Sequence, residues 1–411
     1  MKKLMFLLTC ILLAGFTAPM DAKTVKDKTL INTSYQGVKT IRVNASVYKI
    51  NITKGNSQKT AVKCVVEETT LDLEEFEVKT RQEGSVLEVY QVPNNDGYSR
   101  SMSKGYKKNR FNGYLKGYIN ITAPAGVEVV TVRGSSKDVD VSGLGLDSLN
   151  VSAVSGDIRV GDIVTPNLSV KASSGDVTIE RSRGGRLNVS TVSGEVGVSG
   201  ADFATLNVRS SSGDITVSAV PNVRTASFTT ISGDLEISGV KAADGFSAKT
   251  SSGSTSISNC SAGPKSEIVS ISGDVKIDGM SGDIFTLKTS SGTIYMTNVR
   301  GNQMSLASIS GNIQVRSSDF ISVNTSSSSG NLTLYMGAKL KQVALKTISG
   351  GISLYLKGDL KDNRYDLRGI SGTFSIQGFA KAQKTFLIDS GKGLVDIKGE
   401  TSSGNITVKN W

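Results

Sequence analysis

The side chains available for acid–base chemistry in this sequence are carboxylates, because its 411 residues include no histidine. Histidine is the commonest general base and transition-metal ligand, so its absence excludes Ser-His-Asp triads and Cys-His zinc sites. Acidic residues recur instead directly after a glycine, at nearly regular spacing. This acid column contains Asp157, Asp176, Glu195, Asp214, Asp234 and Asp274, interrupted by Ser254.

Three uses of the acid column remain open. Aspartates beside turn glycines commonly accept backbone N–H bonds at their own corner. Carboxylates stacked about 4.8 Å apart could instead bind Ca²⁺ between neighbouring repeats. A glycosidase pair is the third use, but an active site needs one distinctive arrangement, and this feature recurs. After Asp274 the equivalent positions are neutral: Thr293, Asn312, Asn331 and Gly351.

A basic and aromatic cluster lies between residues 94 and 117, where the strand pattern breaks. Its rings are Tyr98, Tyr106, Phe111 and Tyr114, and its cations include Lys116. The segment is an inserted loop, and a solvated surface loop is one interpretation. The other is a contact site for an anionic partner such as acidic polysaccharide or lipopolysaccharide phosphate. The candidate contact residues are Arg100, Lys104, Lys107, Lys108 and Arg110.

A repeated Ser-Gly step is the element that would position these side chains. Its glycines lie 19 or 20 residues apart until the last step of 22, which is typical of a solenoid with one unit per repeat. They are Gly156, Gly175, Gly194, Gly213, Gly233, Gly253, Gly273, Gly292, Gly311, Gly330, Gly350 and Gly372.

Apolar residues flank each glycine with the period of a β-strand. Counting from the glycine, positions −7, −5, +2 and +4 are apolar in most repeats, as in Leu149, Val151, Ile158 and Val160. A third apolar column at +7 is interrupted by Ser182 and Ser318. Copies wound in parallel bury these columns and pair every strand. We therefore predict an all-β, single-stranded parallel β-helix with about 19–20 residues per rung.

Position −2 alternates between a large aliphatic residue and serine, for example Val154, Ser173, Val192 and Ser211. Ile370 breaks this order. Large and small side chains that alternate along a stack can interdigitate, so we interpret the alternation as a buried packing column at one corner. The serine before each glycine is expected to satisfy backbone groups of the corner.

These features resemble a bacterial putative-adhesin family of unknown function. The resemblance rests on the Ser-Gly-Asp turns, such as Val-Ser-Gly-Asp at 154–157 and Ser-Ser-Gly-Asp at 211–214, and on the entry segment at 118–141. It implies an exported, non-enzymatic parallel β-helix of right-handed sense. It transfers no functional residue.

Residues 1–22 are expected to be a signal peptide, with Lys2 and Lys3 before a short apolar run. Cys10 lies inside that run, so lipidation is not expected. No other stretch is apolar enough to span a membrane. Cys64 and Cys260 are expected to be buried, unpaired thiols.

The predicted organisation has three parts after the signal peptide. Residues 23–136 form an N-terminal β cap and irregular first rungs with the basic loop, 137–376 form the regular repeats, and 377–411 form a C-terminal cap. The protein is then exported to the periplasm, outer-membrane surface or extracellular space. Net charge is +11 overall, but the export signal disfavours nucleic acid as a partner.

The predicted function is that of a non-enzymatic, adhesin-like or structural protein of the cell envelope, without a cofactor or resident metal, whose partner is a glycan or an envelope protein. The alternative is a polysaccharide lyase or glycoside hydrolase on a β-helix scaffold, because carboxylates alone can catalyse such reactions. The sequence leaves the oligomeric state open.

Overall fold

A computed structural model describes residues 24–70, 73–92, 114–389 and 392–411. The predicted signal peptide and the five candidate contact cations of the basic loop lie outside these ranges. The described chain contains a single sheet of 34 strands and two 3-10 turns, at Leu73–Phe76 and Leu360–Asp362.

The strands are short, as expected for a chain that turns a corner after every few residues. The first twelve are β1 Val25–Tyr35, β2 Thr40–Ala45, β3 Lys49–Lys54, β4 Thr60–Thr69, β5 Val78–Glu83, β6 Val86–Gln91, β7 Leu115–Ala123, β8 Val129–Gly134, β9 Val139–Ser142, β10 Ser148–Ala153, β11 Ile158–Gly161 and β12 Val164–Ala172. The next eleven are β13 Val177–Glu180, β14 Arg183–Ser190, β15 Val196–Ser199, β16 Asp202–Arg209, β17 Ile215–Thr229, β18 Leu235–Thr250, β19 Thr255–Ser258, β20 Ser261–Ala262, β21 Lys265–Ser270, β22 Val275–Asp278 and β23 Ile284–Thr289. The last eleven are β24 Ile294–Thr297, β25 Gln303–Ser308, β26 Ile313–Ser318, β27 Ser322–Ser327, β28 Leu332–Met336, β29 Gln342–Thr347, β30 Ile352–Leu356, β31 Arg364–Ile376, β32 Ala382–Ile388, β33 Asp396–Thr401 and β34 Ile406–Asn410.

Equivalent strands of successive rungs pair in parallel, which confirms the predicted β-helix. Leu149 of β10 lies beside Leu168 of β12, and Leu168 lies beside Leu187 of β14. The strands after the corner repeat this pattern, with Ile158 beside Val177. Like side chains therefore stack on like side chains along the coil, and each rung supplies the hydrogen-bonding edge of the next.

The predicted apolar columns form the core. Leu149, Val151, Ile158 and Val160 are all buried, as are their counterparts along the regular repeats. The third column is buried too, including at its two serines. Ser182 illustrates how a hydroxyl is tolerated there: it accepts the Ile163 N–H at 3.2 Å and donates to the Glu180 carbonyl oxygen at 2.9 Å. A buried polar group with both bonds made carries little penalty.

The corner is built around a glycine that admits no side chain. A Cβ added to Gly213 would lie 1.9 Å from the Gly194 carbonyl oxygen, far closer than van der Waals contact, and the same clash recurs along the stack. Gly372 has a positive φ of 128°, but close approach is the general reason for glycine at this position. The corner is consequently as narrow as the backbone allows.

A buried hydroxyl at position −3, which was not predicted from the sequence, completes the corner. The Gly253 N–H donates to Thr250 Oγ1 at 3.1 Å, and Thr250 Oγ1 donates to the Gly233 carbonyl oxygen at 3.3 Å. The same glycine N–H bond is made by Thr191, Ser210, Thr230, Ser270, Thr289, Ser308, Ser327, Thr347 and Thr401. The signal was visible as Ser or Thr three residues before nearly every corner glycine.

The N-terminal region packs antiparallel strands against the first rungs. Strand β4 pairs with β1 on one side and with β7 on the other, while β5 pairs with β6. Tyr48 and Cys64 are fully buried in this part of the molecule. Cys64 and Cys260 are both free and buried, which confirms the expectation of two unpaired thiols.

The C-terminal rungs are stacked out of chain order. Strands β33 and β34 pair with β29 and β30 on one side and with β31 on the other. The rung that carries Ser402 and Gly404 therefore lies between the rungs of Gly350 and Gly372, although it follows both in the chain. Strand β32 runs antiparallel along β31.

Candidate binding surfaces

The aliphatic residues at position −2 point outward, so the interpretation of a buried packing column was wrong. Their exposed fractions range from 51% to 77%. We name them the aliphatic stripe: Val154, Val192, Ile231, Ile271, Ile309, Ile348 and Ile370. A row of exposed branched aliphatic side chains along one edge of a rod is the kind of surface that marks an interaction site.

The backbone bonds of the corner give the spatial order of position −2. In each rung the following serine donates its N–H to the position −2 carbonyl oxygen of the rung below, from Ser155 bonded to Ser135 up to Ser371 bonded to Ser402. The resulting order is Ser135, Val154, Ser173, Val192, Ser211, Ile231, Ser251, Ile271, Ser290, Ile309, Ser328, Ile348, Ser402 and Ile370. These 14 positions alternate without exception, because Ser402 lies between Ile348 and Ile370. Below Ser135 the same bond leads to Ser46, where two serines are adjacent and the alternation ends.

The acid column runs beside the stripe, and its carboxylates bond to the neighbouring rung rather than to their own corner. Asp214 Oδ1 accepts the Asp234 N–H at 2.7 Å, and Asp234 Oδ1 accepts the Ser254 N–H at 2.7 Å. The amide oxygen of Asn312 does the same for the Asn331 N–H at 2.9 Å. Where the column holds Asp or Asn, the side chain therefore supplies an oxygen acceptor, with or without charge.

The acid column also begins one rung earlier than the sequence suggested. Asp138 Oδ1 accepts the Asp157 N–H at 3.2 Å, and Arg159 lies within salt-bridge distance of both carboxylates. Within the described ranges, no group of three or more His, Cys, Asp or Glu side chains converges as a metal site would require. Most carboxylates of the column instead have a backbone N–H of the next rung as partner.

A partly exposed aromatic cluster, which was not predicted from the sequence, lies near the C-terminal end of the coil. The rings of Tyr335 and Tyr355 stack with centroids 4.2 Å apart and planes 2° from parallel. Trp411 meets Tyr335 edge-on at 5.5 Å and donates its indole N–H to the Met336 carbonyl oxygen at 3.2 Å. The position of all three rings is thus set by adjacent rungs.

Two cations extend this aromatic cluster. The Arg316 guanidinium lies 5.9 Å from the Tyr335 ring centroid, and the Lys357 ammonium lies 4.9 Å from that of Trp411. Arg316, Ser317, Tyr335 and Trp411 line an open depression of about 280 Å³. Partial desolvation raises the pKa of the Tyr335 phenol, the neighbouring Tyr355 adds to this, and Arg316 opposes it. The phenol is therefore neutral at physiological pH.

The five predicted contact cations of the basic loop, Arg100, Lys104, Lys107, Lys108 and Arg110, lie outside the described residues. At the end of that segment, Lys116 forms a salt bridge with Glu67 at 2.8 Å, and Lys26 pairs with Glu68 at 3.4 Å. The described edge of the loop is therefore charge-balanced.

The coil, its glycine corners and its outward-facing rows define a repetitive β-solenoid whose surfaces are open faces and shallow depressions. The model of the Toastrack DUF4097 family matches residues 38–267 and 264–409. The chain belongs to this family, which agrees with the resemblance noted from its Ser-Gly-Asp turns.

Solved structures similar to this chain come from bacteria of the genera Clostridium, Bacteroides and Parabacteroides. A putative cell adhesion protein from Clostridium sporogenes is 12% identical, with 94% of this chain and 100% of that chain covered and a TM-score of 0.17. A putative adhesin from Bacteroides fragilis is 12% identical, with 93% and 97% covered and a TM-score of 0.21. A putative lipid binding protein from Parabacteroides distasonis is 14% identical, with 81% and 97% covered and a TM-score of 0.21.

No curated protein matches the chain. Among the residues that the structure describes, no helix is long and apolar enough to cross a bilayer.

Proposed function

We propose that this protein is an exported, non-enzymatic, adhesin-like β-helix that binds acidic glycans of the cell envelope. The observation that carries the proposal is the cluster of Tyr335, Tyr355, Trp411 and Arg316, in which two half-buried tyrosines lie beside an exposed tryptophan and arginine. Export is supported by the N-terminal segment, in which Lys2 and Lys3 precede an apolar run.

The chemistry of the cluster suits a charged sugar. Flat, amphipathic aromatic rings offer large contact faces with little loss of conformational entropy, and binding sites commonly combine such rings with a few placed polar groups. The apolar C–H face of a pyranose can lie on an exposed ring in the depression. Arg316 and Lys357 then lie where a carboxylate or phosphate of the sugar would gain a charge-assisted bond.

Calorimetric titration of the purified chain with acidic and neutral polysaccharides tests this function. Tyr335→Ala and Trp411→Ala are expected to weaken binding of the acidic polymer at least tenfold, which is about 1.4 kcal/mol. Tyr295→Ala is the matched control, because this tyrosine is also exposed but lies on other rungs. Equal affinity in all three variants would show that the cluster is not the binding site.

The enzymatic alternative and the location need separate measurements. Incubation of each polysaccharide with the protein, followed by reducing-end and ultraviolet assays, is expected to show no cleavage. Turnover abolished by changing one carboxylate, for example Asp214→Asn, would favour a polysaccharide-active enzyme instead. Cell fractionation with protease access to a tagged chain is expected to recover the protein outside the cytoplasm, and a cytoplasmic pool would contradict export.

A further inference from the structure

We infer that the aliphatic stripe is the docking surface for a second copy of this chain, bound antiparallel. The stripe presents a large side chain on every second rung, separated by serines, over the whole regular coil. Seven such residues, each at least half exposed, form a continuous ridge and gap pattern. Nothing in the fold of one chain requires this pattern, since the core is complete without it.

Among two-fold symmetric pairs, the alternation is self-complementary in one orientation only. A two-fold axis perpendicular to the rod, through the midpoint of these 14 positions, places position n opposite position 15 − n of the other copy. Odd positions are serine and even positions are aliphatic, so Val154 faces Ser402 and Ile231 faces Ser290. A two-fold axis along the rod would place each aliphatic side chain opposite itself, which forbids interdigitation.

Charge distribution along the adjacent acid column agrees with the antiparallel orientation. In spatial order this column reads Asp138, Asp157, Asp176, Glu195, Asp214, Asp234, Ser254, Asp274, Thr293, Asn312, Asn331, Gly351, Asn405 and Thr373. The axis that matches the stripe brings the first six acids opposite the six neutral residues at the far end. Asp274 then faces Ser254, so no acid opposes an acid.

The size of the ridge is adequate for a stable pair. Fourteen rungs about 4.8 Å apart give a contact of roughly 62 Å, and the three residue steps from position −2 to +1 give a width of about 10 Å. The product is roughly 600 Å² per copy before any flanking contact. Stable interfaces begin at about 1,200 Å² in total, which two such surfaces supply.

Sedimentation equilibrium of the mature chain tests whether the pair forms. We expect a dimer whose dissociation constant rises at least 100-fold in the double variant Ile231→Ser/Ile271→Ser, which removes the two ridges nearest the axis. Val164→Ser/Ile321→Ser is the control, since both residues are 44% exposed and lie outside the stripe. A wild-type monomer, or equal weakening in the control, would overturn the inference, as would stripe variants that remain dimeric.

Cysteine cross-linking tests the orientation. Ser155 and Ser403 directly follow Val154 and Ser402, the second and thirteenth of the 14 position −2 residues. The antiparallel pair therefore brings Ser155 of one copy opposite Ser403 of the other. Mixing Ser155→Cys with Ser403→Cys chains under mild oxidation is expected to yield a covalent heterodimer, while each variant alone stays uncross-linked. Native Cys64 and Cys260 are buried and do not compete. A covalent homodimer of Ser155→Cys would establish the parallel orientation and refute this one.

The proposed dimer and the proposed glycan site can be refuted independently of each other. The aromatic cluster lies at positions that the stripe variants do not change, so monomeric stripe variants should bind acidic polysaccharide as the wild type does. If the wild type is monomeric and the stripe variants lose polysaccharide binding, the stripe contacts the ligand and not a second copy.

Discussion

Single atoms determine the shape of the corner in this coil. The glycine leaves room for the carbonyl of the rung below, and the hydroxyl three residues earlier accepts the glycine N–H inside the core. The first requirement was visible in the sequence as an invariant residue type of the repeat. The second requirement was overlooked because Ser and Thr appear throughout this sequence. A buried hydroxyl differs from an exposed one in its position within the repeat, not in its residue type.

Adding a methyl group at the corner should destabilise the protein. Gly213→Ala places a Cβ against the Gly194 carbonyl oxygen, and relieving the clash should lower the free energy of unfolding by about 1–3 kcal/mol or more. Gly197→Ala is the control, because its added Cβ meets no atom within 4 Å. Urea denaturation should show that Gly197→Ala is neutral or stabilising, as expected for alanine in a strand. Equal destabilisation of both would contradict a steric role for the corner glycine.

Removing the corner hydroxyl should be costly only where it is bonded. Thr250→Val leaves the buried Gly253 N–H without its acceptor and should destabilise the fold by about 1–3 kcal/mol. Thr255 is equally buried, but its hydroxyl has no hydrogen-bond partner in the described structure. Thr255→Val should therefore be neutral or stabilising in thermal and urea unfolding. A larger loss at Thr255 than at Thr250 would refute the argument.

The Cys64 thiol should make stability fall in alkali. Burial raises its pKa from 9 to about 12, so above pH 9 the unfolded chain loses this proton and the folded chain keeps it. The contribution is intact below pH 9 and is lost as pH rises toward 12, by about 1.4 kcal/mol per pH unit. Urea unfolding between pH 8 and 10 should show a weaker pH dependence for Cys64→Ala. An unchanged slope would mean that the thiol is not protected.

At the scale of the element, strand alternation decided which sequence interpretations were right. The inward positions −7, −5, +2 and +4 were identified correctly, because alternation and apolar character agreed there. Position −2 was misassigned because its aliphatic residues suggested burial, although the strand alternation places positions −6, −4 and −2 outward. The stack of Arg316, Tyr335 and Tyr355 could have been predicted, since each lies five residues after its corner glycine. The approach of Trp411 could not, because it depends on the rung that is stacked out of chain order.

The acid column should tolerate loss of charge but not loss of its oxygen. Asp234→Asn keeps an acceptor for the Ser254 N–H, as Asn312 does naturally for Asn331, and should change unfolding by less than about 0.5 kcal/mol. Asp234→Ala removes that acceptor and should cost about 1 kcal/mol. Thermal melts with and without Ca²⁺ provide the check. Stabilisation of the wild type by Ca²⁺ that Asp234→Asn abolishes would restore the cation interpretation.

At the scale of the whole molecule, the period predicted a stack but not its order. Regular repeats imply that each rung lies on the one before it, and this holds as far as Gly350. The rung of Gly404 then lies between those of Gly350 and Gly372. This arrangement pairs segments that are distant in the sequence, and the spacing of the glycines does not predict it. One residue did carry the signal: Ile370 breaks the alternation in the chain because Ser402 precedes it in space.

This order predicts a distinctive response to truncation. Removing residues 393–411 takes away β33 and β34, on which β31 stacks. Amides of β31 that donate to the removed segment, such as those of Arg364 and Ser371, should then lose most of their hydrogen-exchange protection, although β31 is retained and still pairs with β32. Removing Trp411 alone is the control and should leave their protection unchanged. Full protection of β31 in the truncated chain would contradict the observed stacking.

The inserted rung also bears on how the protein reaches its final form. A coil stacked in chain order could consolidate behind the ribosome or a secretion pore, turn upon turn, as residues emerge. Here β30 can pair with β34 only after more than fifty further residues have emerged. Strand β31 pairs with the same late segment. Closure at this end therefore requires the last strands of the chain, so a chain arrested before β34 emerges retains an unpaired strand edge, which is open to pairing with another chain.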